Sequence, residues 1–357
     1  MESLEIAKHF WKDKSVIITG HTGFKGGWLS AILNSLGANV HGFSLAPDNN
    51  SIFFKSTNLS KKIVTNSYGD IRDYKQFEYF IKNSEPEIIF HMAAQPLVRA
   101  SYKNPIDTFN TNIMGVANLF EISRDIKTLK AIINITTDKC YENKEKLEAY
   151  KEDEPLGGYD PYSSSKACSE IVTSAYRKSF LNDLGIQVAT ARAGNVIGGG
   201  DWSEDRLIPD ILRAIKLKNK VRIRYPSAIR PWQHVLEPVT GYLMLAMKLY
   251  DEKNIYNEAW NFGPEAKDCV TVKEIASKIF NISGIEINNL EIPNSSQPHE
   301  AGLLKLDSTK SKNRINWVPR LRVEEAILYT LKWHESFESG EDMFDFSINQ
   351  FKEYLNK

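Results

Sequence analysis

A glycine-rich turn between a short apolar run and a helix constrains this fold more than any other feature of the sequence. The segment Ser15–Leu36 reads SVIITGHTGFKGGWLSAILNSL. Its run Val16–Ile18 is typical of a buried parallel strand, and the apolar residues after the turn recur at helical spacing. Gly20, Gly23 and Gly26 let the backbone turn sharply and approach a diphosphate, whose charge meets free N–H groups at the helix N-terminus. The pattern predicts a dinucleotide site, although a tight turn in another doubly wound protein would also fit it.

The composition is that of a soluble chain without a dominant charge. The 357 residues leave room for two lobes. Lysine plus arginine and aspartate plus glutamate number 45 each, so neither nucleic acid nor a membrane surface is expected as a partner. Three scattered cysteines and a charged N-terminus without a signal-peptide core predict a cytoplasmic protein. No two histidines have a metal-ligand spacing, so no catalytic metal is expected.

Strand-like and helix-like segments alternate along the first half of the chain. The predicted strands are Asn39–Leu45, Ile88–His91 and Leu129–Thr136, and the predicted helices are Tyr74–Asn83, Pro105–Arg124 and Pro161–Leu181. This order predicts an α/β fold with a Rossmann-like, doubly wound parallel sheet.

Two strand ends bear on the choice of cofactor. In the dinucleotide pattern an acid about 20 residues after the glycine turn holds the adenosine ribose. Here Ser44 lies near that place, Asp48 is the first acid after it, and no arginine is nearby, which favours NAD over NADP. The strand Ile88–His91 leads to Ala93-Ala94-Gln95, whose small residues suit a cofactor that crosses close to the backbone. A simple packing turn would explain the two alanines as well.

A tyrosine and a lysine mark the start of the helix near residue 161. Tyr162 and Lys166 are four residues apart, so they share one helix face. A lysine ammonium there can lower the pKa of the tyrosine and let the phenol act as an acid–base near neutral pH. One such pair is expected by chance in a chain with this composition. Its significance comes from its place after a strand that ends in Thr137-Asp138-Lys139 and downstream of the glycine turn.

The order of these motifs across 16–194 resembles the extended branch of the short-chain dehydrogenase/reductase superfamily. Within it, the chain looks like the CDP-glucose 4,6-dehydratases, which act on nucleotide-sugars in cell-surface polysaccharide pathways such as O-antigen biosynthesis. The segments that carry this resemblance are GHTGFKGGW (Gly20–Trp28), HMAAQPLVR (His91–Arg99), TDKCY (Thr137–Tyr141), DPYSSSK (Asp160–Lys166), RAGNVIGGGD (Arg192–Asp201), RLIP (Arg206–Pro209), RPWQH (Arg230–His234) and WNFGP (Trp260–Pro264).

The resemblance implies a set of functional residues and two domains. NAD would be held by Gly20, Thr22, Gly23, Phe24, Gly26, Asp70, Ile71, Ala93, Ala94, Gln95, Asn112, Tyr162 and Lys166. The nucleotide-sugar would be held by Gln95, Arg99, Asn195, Arg206, Leu207, Arg230 and His299, with arginine forks on the diphosphate. Arg222 and Arg224 could instead be solvated charges on a strand. We expect an NAD-binding domain at 1–190, with a return segment near 234–262, and a smaller, interleaved substrate lobe at 191–357.

Within this resemblance Lys139 is the most informative departure from other relatives, because Thr-Asp-Lys is what the CDP-glucose 4,6-dehydratases show. The sister dTDP-glucose dehydratases have Thr-Asp-Glu here, and epimerases lack the Asp-acid pair. The resemblance implies that Tyr162 takes the proton of the sugar 4-hydroxyl and that Thr137 hydrogen-bonds the 4-oxygen. Asp138 would then protonate the leaving 6-hydroxyl, and Lys139 would remove the proton from carbon 5. A lysine base needs a lowered pKa. A solvated Asp–Lys pair on a loop is the alternative interpretation.

Two other functions remain possible from the sequence. A nucleotide-sugar 4-epimerase or reductase needs the same tyrosine and lysine but has no use for the Asp138–Lys139 pair. A catalytically silent NAD-binding regulator needs none of the catalytic residues. The resemblance also implies a homodimer, because the helices Pro105–Arg124 and Pro161–Leu181 carry apolar residues beyond one core stripe and form a four-helix interface in relatives.

Overall fold

The computed structural model describes residues 2–217, 219–252, 254–284, 290–291 and 301–357, with side chains from residue 7 onward except at 290. The α-helices are α1 (Glu2–Trp11), α2 (Phe24–Ser35), α3 (Ile52–Ser56), α4 (Tyr74–Ser84), α5 (Val98–Lys103), α6 (Pro105–Phe109), α7 (Gly115–Ser123), α8 (Pro161–Tyr176), α9 (Leu207–Lys216), α10 (Leu236–Asp251), α11 (Val272–Ile282), α12 (Thr309–Ile315), α13 (Val323–Ser339) and α14 (Met343–Leu355). The strands are β1 (Ser15–Thr19), β2 (Asn39–Ser44), β3 (Thr65–Tyr68), β4 (Ile88–His91), β5 (Ala131–Ile135), β6 (Gln187–Ala193), β7 (Asn195–Ile197), β8 (Val221–Arg222), β9 (Ile229–His234), β10 (Ala259–Phe262), β11 (Cys269–Thr271) and β12 (Leu290–Glu291).

Seven parallel strands form the large sheet, in the order β10-β6-β5-β4-β1-β2-β3. The chain order reverses between β1 and β4, which leaves a crevice at the carboxyl ends of the strands where such sheets bind ligands. The predicted Rossmann-like, doubly wound sheet is confirmed.

The alternation of side chains along β1 shows why this sheet is buried on both faces. Val16 and Ile18 pack with Trp28 of α2 in one core cluster, and Ile17 packs with Phe77 of α4 in another. Successive strand residues point to opposite faces, so an unbroken apolar run serves two cores. The first cluster also takes in residues of α10, α13 and α14, which cover that face of the sheet.

Two glycines of the turn are required by close backbone approach. Gly20 has φ +76°, and a Cβ there would lie 2.8 Å from the backbone nitrogen of Ala93. A Cβ on Gly26 would lie 2.2 Å from the carbonyl oxygen of Gly20. A side chain at Gly20 would force the turn away from the end of β4. A side chain at Gly26 would force α2 away from the turn. The glycines therefore place the N-terminus of α2 at the crevice.

The segments predicted as the helices Pro105–Arg124 and Pro161–Leu181 each contain a π-helical turn. A π-helical turn at Asn110–Met114 separates α6 from α7, and another at Arg177–Leu181 follows α8. The first of these turns contains the buried Asn112, whose side chain accepts a hydrogen bond from Gln95 N and donates to Gln95 O and Ser165 Oγ. The turn thus lets one side chain join the loop after β4 to α8.

The second half of the chain builds a smaller region with its own core. Strands β11, β9 and β7 form a three-stranded sheet, and β12 pairs with β8. Residues of α9, α11 and α13 pack around Trp232 of β9 in a third cluster. Strand β10 belongs to the large sheet, beside β6. The exact domain boundaries stay a prediction. Over the described ranges, no helix is long and apolar enough to cross a membrane.

Candidate active site

One cleft lies at the carboxyl ends of β4, β5 and β6, where the loops after these strands face α9 and the loop after β8. It brings together nine of the residues predicted from the sequence: Arg99, Thr137, Asp138, Lys139, Tyr162, Asn195, Arg206, Leu207 and Arg230. His299 lies outside the described residues. The cleft shares the end of β4 with the crevice that the strand order predicts between β1 and β4.

The start of α8 places Tyr162 in the cleft. Asp160 is the N-cap of this helix, and its carboxylate accepts hydrogen bonds from Ser163 N at 3.0 Å and Ser163 Oγ at 2.6 Å. Pro161 occupies the first turn, where its missing N–H is tolerated. Burial raises the pKa of Tyr162 to about 12, and the hydrogen bond with Thr137 and the charge of Arg206 act against this effect. The lowered tyrosine pKa expected from the sequence is therefore wrong for this structure.

Lys166 lies one turn beyond Tyr162 and is held against the end of β5. Its ammonium donates a 3.1 Å hydrogen bond to the carbonyl oxygen of Ile135. Burial lowers the pKa of Lys166 to about 8, and the nearby carboxylate of Glu170 opposes that change. The ammonium is thus fixed between the helix and the strand end.

The residues after β5 form a short 3₁₀ turn, Asp138–Cys140, capped by Thr137. The Thr137 hydroxyl donates to Asp138 Oδ1 at 3.0 Å and accepts from Lys139 N at 3.3 Å. Burial raises the pKa of Asp138, against the opposing effects of Lys139, Thr137, Arg230 and Lys25. Asp138 is therefore suited to hold a proton. Lys139 is half-buried and lines the same cleft.

Lys25 is a cleft residue that the sequence analysis missed. It follows Phe24 at the start of α2, and burial together with the charges of Arg206 and Lys166 lowers its pKa to about 7. The signal in the sequence is a lysine inside the glycine-rich turn. Its charged neighbours come from distant segments, so only the fold shows that they meet.

Arginines surround the open side of the cleft. Arg206 donates to Asp201 at 2.9 Å, and Arg99 and Arg224 both donate to Asp205 Oδ1, at 3.0 Å and 2.6 Å. Arg222 and Arg224, which on the sequence alone could be solvated strand charges, both line the cleft. Guanidinium groups that converge in this way suit the oxygens of a diphosphate.

The residues around the glycine turn fit a dinucleotide. Gly23 is the N-cap of α2 and has no side chain to cap the helix, which leaves N–H groups at its N-terminus available to an anion. Thr22 Oγ1 lies 2.7 Å from Ser44 Oγ, at the end of β2 where the pattern places the ribose. Asp70 pairs with Arg72 on the surface, and Ile71 is buried beneath Gly115.

Gln95 has a structural role in the loop after β4. Its amide nitrogen donates to Thr108 Oγ1 at 2.9 Å, and its amide oxygen accepts from Leu97 N at 2.7 Å. Asn112 bonds the backbone of the same residue. Contacts of Gln95 and Asn112 with a cofactor or substrate stay predictions.

Comparison with known proteins gives the family. The model of the family described as GDP-mannose 4,6 dehydratase matches residues 17–330. The chain belongs to this family. The chain is also 46% identical to the CDP-glucose 4,6-dehydratase of Salmonella typhimurium over 356 residues, which cover 98% of this chain and 99% of that relative. The resemblance to CDP-glucose 4,6-dehydratases is thereby confirmed.

Solved structures share the fold at lower identity. One is the dTDP-glucose 4,6-dehydratase DesIV from Streptomyces venezuelae, solved with NAD and a second ligand bound. It has a TM-score of 0.78 at 19% identity, and the match covers 92% of this chain and 99% of DesIV. A UDP-glucose 4-epimerase from Thermotoga maritima, with UDP-glucose, has a TM-score of 0.76 at 20% identity, with coverages of 90% and 99%. Dehydratases and epimerases share this fold, so the choice between them depends on the residues of the cleft.

Proposed function

We propose that this protein is an NAD-dependent CDP-glucose 4,6-dehydratase, which converts CDP-glucose to CDP-4-keto-6-deoxyglucose and water. The observation that carries the proposal is the presence of Asp138 and Lys139 beside Tyr162 in one cleft. An epimerase or reductase needs only the tyrosine and its lysine. The relative named CDP-glucose 4,6-dehydratase, 46% identical over nearly the full length, supports the same substrate.

NAD would lie across the carboxyl ends of β1 and β4, with its diphosphate at the N-terminus of α2. Gly20, Gly23 and Gly26 would allow the close approach, and Thr22 with Ser44 would face the adenosine ribose. Lys166 would hold the nicotinamide ribose. When bound, NAD supplies the hydride acceptor for carbon 4 and the donor for carbon 6.

The first proton leaves the 4-hydroxyl of the sugar for the phenolate oxygen of Tyr162. Burial disfavours the phenolate, and the nearby guanidinium of Arg206 and the hydrogen bond with Thr137 favour it. As the carbonyl forms, the Thr137 hydroxyl would turn from Asp138 Oδ1 to donate to the 4-oxygen. The resulting 4-ketone acidifies the hydrogen on carbon 5.

Elimination then needs one base and one acid on the chain. Lys139, as the neutral amine, would accept the proton of carbon 5, and Asp138, as the protonated acid, would donate a proton to the 6-hydroxyl, which departs as water. Burial keeps a proton on Asp138 to higher pH than an exposed aspartate would hold it. The double bond formed between carbons 5 and 6 is then reduced at carbon 6, and carbon 5 regains a proton.

The experiment that tests this function is incubation of the protein with CDP-glucose and NAD. The expected result is a product with the alkaline absorbance of a 4-keto-6-deoxy sugar, formed by the parent and not by Tyr162→Phe. A 4-epimer without that absorbance would support the epimerase instead, and no conversion of CDP-glucose would contradict the proposal.

We also propose a cytoplasmic homodimer. Four large apolar side chains are exposed on the helical segments at 105–124 and 161–181: Ile106 at 71%, Met114 at 51%, Ile171 at 58% and Phe180 at 39%. Exposed apolar surface of this kind is typical of an interface. Cys140, Cys168 and Cys269 are free, as expected of a protein in a reducing compartment.

A further inference from the structure

A buried carboxylate lies directly beneath the catalytic residues of α8. Glu170 is one helical turn beyond Lys166, on the same face as Tyr162. Its Oε1 accepts from Thr136 Oγ1 at 2.5 Å and from Arg192 Nε at 2.9 Å. Its Oε2 accepts from Thr190 Oγ1 at 2.7 Å and from the second nitrogen of the same arginine at 3.0 Å. The carboxylate is thus held by four hydrogen bonds, one from the residue after β5 and three from β6.

Arg192 extends this contact to the loop that carries the elimination residues. Its third nitrogen donates to Tyr141 Oη at 2.8 Å and to the carbonyl oxygen of Glu152 at 3.1 Å. Tyr141 in turn donates to Asn261 Oδ1 at 2.7 Å, and its ring stacks on Tyr150. Tyr141 lies two residues after Lys139. The guanidinium therefore connects α8 to the end of the segment Thr137–Tyr141.

We propose that Glu170 and Arg192 are a positioning pair. They hold the segment Thr137–Lys139 at a fixed distance from Tyr162 and Lys166. Neither residue lines the main cleft, so they act through Thr136 and Tyr141. The inference rests on the proposed function, because the dehydration needs groups from both segments on one sugar ring.

The chemistry of a buried ion pair argues for a role beyond stability. Arg192 and Glu170 have side chains that are only 3% and 4% exposed. Two charges so deeply buried lose most of their hydration, and a well-packed apolar pair of similar volume is often as stable. What the apolar pair cannot supply is directed hydrogen bonding to Thr136 and Tyr141. Small displacements of catalytic groups reduce rates by large factors.

Tyr141→Phe is the main test, because it removes one hydroxyl and keeps the packed ring. The expected result is a kcat for CDP-glucose that is about 10–100-fold lower with KM within a few-fold of the parent. Amide hydrogen exchange across 137–141 should be faster, with β1 unchanged. Glu324→Gln, which breaks a surface ion pair with Lys278, is the control and should leave kcat and the exchange unchanged. Parent values of both kcat and exchange in Tyr141→Phe would overturn the proposal.

A second variant separates positioning from stability. Glu170→Gln should lower the melting temperature by several degrees, since it leaves a buried guanidinium without its counter-charge. Glu170→Met/Arg192→Met should regain much of that melting temperature and still show the lowered kcat. If the double variant regained both its melting temperature and the parent kcat, the pair would only stabilise the fold, and the inference would be overturned.

The outcomes also distinguish this inference from the proposed function. If the parent does not convert CDP-glucose, the proposed function fails. The exchange measurement on Tyr141→Phe still decides whether the network holds the segment 137–141. If the parent is active and the variants keep its kcat, the positioning role fails alone.

Discussion

The hydroxyl of Thr137 donates a 3.0 Å hydrogen bond to Oδ1 of Asp138, and within the described part of the chain Oδ2 of that carboxyl group has no hydrogen-bond partner. One oxygen is therefore fixed, and the other is buried at the cleft with its hydrogen-bonding capacity unused. An unsatisfied buried carboxyl oxygen is costly. A protonated carboxyl group that donates to a substrate hydroxyl would satisfy it.

The first prediction tests the elimination step. Asp138→Ala/Lys139→Leu should spare oxidation at carbon 4 and stop the reaction there, because the acid and the base are both gone. Losing one acid–base catalyst typically costs about 10²–10⁴-fold. Stopped-flow absorbance should show reduced nicotinamide that persists with a 4-keto sugar still carrying its 6-hydroxyl. The control Lys151→Leu/Asp153→Ala changes an exposed lysine and aspartate nearby. The control should turn over like the parent, and if the first variant also stays within a few-fold of the parent, Asp138 and Lys139 do not carry the elimination.

The second prediction concerns the first proton transfer. Tyr162→Phe removes the oxygen that accepts the 4-hydroxyl proton, so oxidation at carbon 4 should fall by about 10²–10⁴-fold. When the variant is mixed with CDP-glucose, reduced nicotinamide should form about 10²–10⁴-fold more slowly than in the parent. Normal turnover in this variant would refute the mechanism as a whole.

The third prediction concerns stability and pH. Glu237 in α10 accepts from the backbone nitrogens of Arg320 and Leu321 and from the hydroxyl of Tyr354, and burial raises its pKa from 4.5 to about 7. Between pH 4.5 and about pH 7 the folded protein therefore keeps a proton on Glu237 that the unfolded chain has released. This stabilisation is complete below pH 4.5 and is lost as the pH rises through about 7.

Glu237→Gln should remove that pH dependence, because the amide stays neutral and can keep similar hydrogen bonds. Relative to the parent, the variant should gain about 2.5 kcal/mol of unfolding free energy between about pH 5 and about pH 8. Urea unfolding at both pH values measures this gain. Glu335→Gln, at an exposed position, is the control and should follow the parent. An equal pH dependence in Glu237→Gln and the parent would show that Glu237 is charged in the fold.

The fourth prediction concerns assembly. If Ile106 and Ile171 lie at a two-fold interface, Ile106→Asp/Ile171→Asp should be monomeric, because each buried carboxylate would lack a partner. Sedimentation velocity at micromolar concentration should show a dimer for the parent. Leu217→Asp changes an equally exposed apolar residue outside these helices and should leave the dimer intact. A parent that sediments only as a monomer would remove the claim.

Local sequence patterns were sufficient for the first βαβ unit and for the residues at the strand ends. The strand at Val16–Ile18, the glycine turn and the helix start at Pro161 each depend on neighbours within a few residues. The contacts between distant segments were not predictable in this way. Glu170 and Arg192 are 22 residues apart, and they meet only because α8 packs against β6. Lys25 and Arg206 line the same cleft only because the fold brings the glycine turn close to α9. The π-helical turn around Asn112 does not alter the helical spacing of the apolar residues, so the sequence does not predict it.

The most direct measurement of the central claim uses CDP-glucose carrying deuterium on carbon 4. The proposed function moves that hydrogen within the molecule, so the product in ordinary water should be a 4-keto sugar with deuterium in the carbon 6 methyl group. Proton and deuterium NMR of the product identify both positions. A product that keeps its 6-hydroxyl and carries the deuterium on a carbon 4 of inverted configuration would contradict the dehydratase and establish the epimerase.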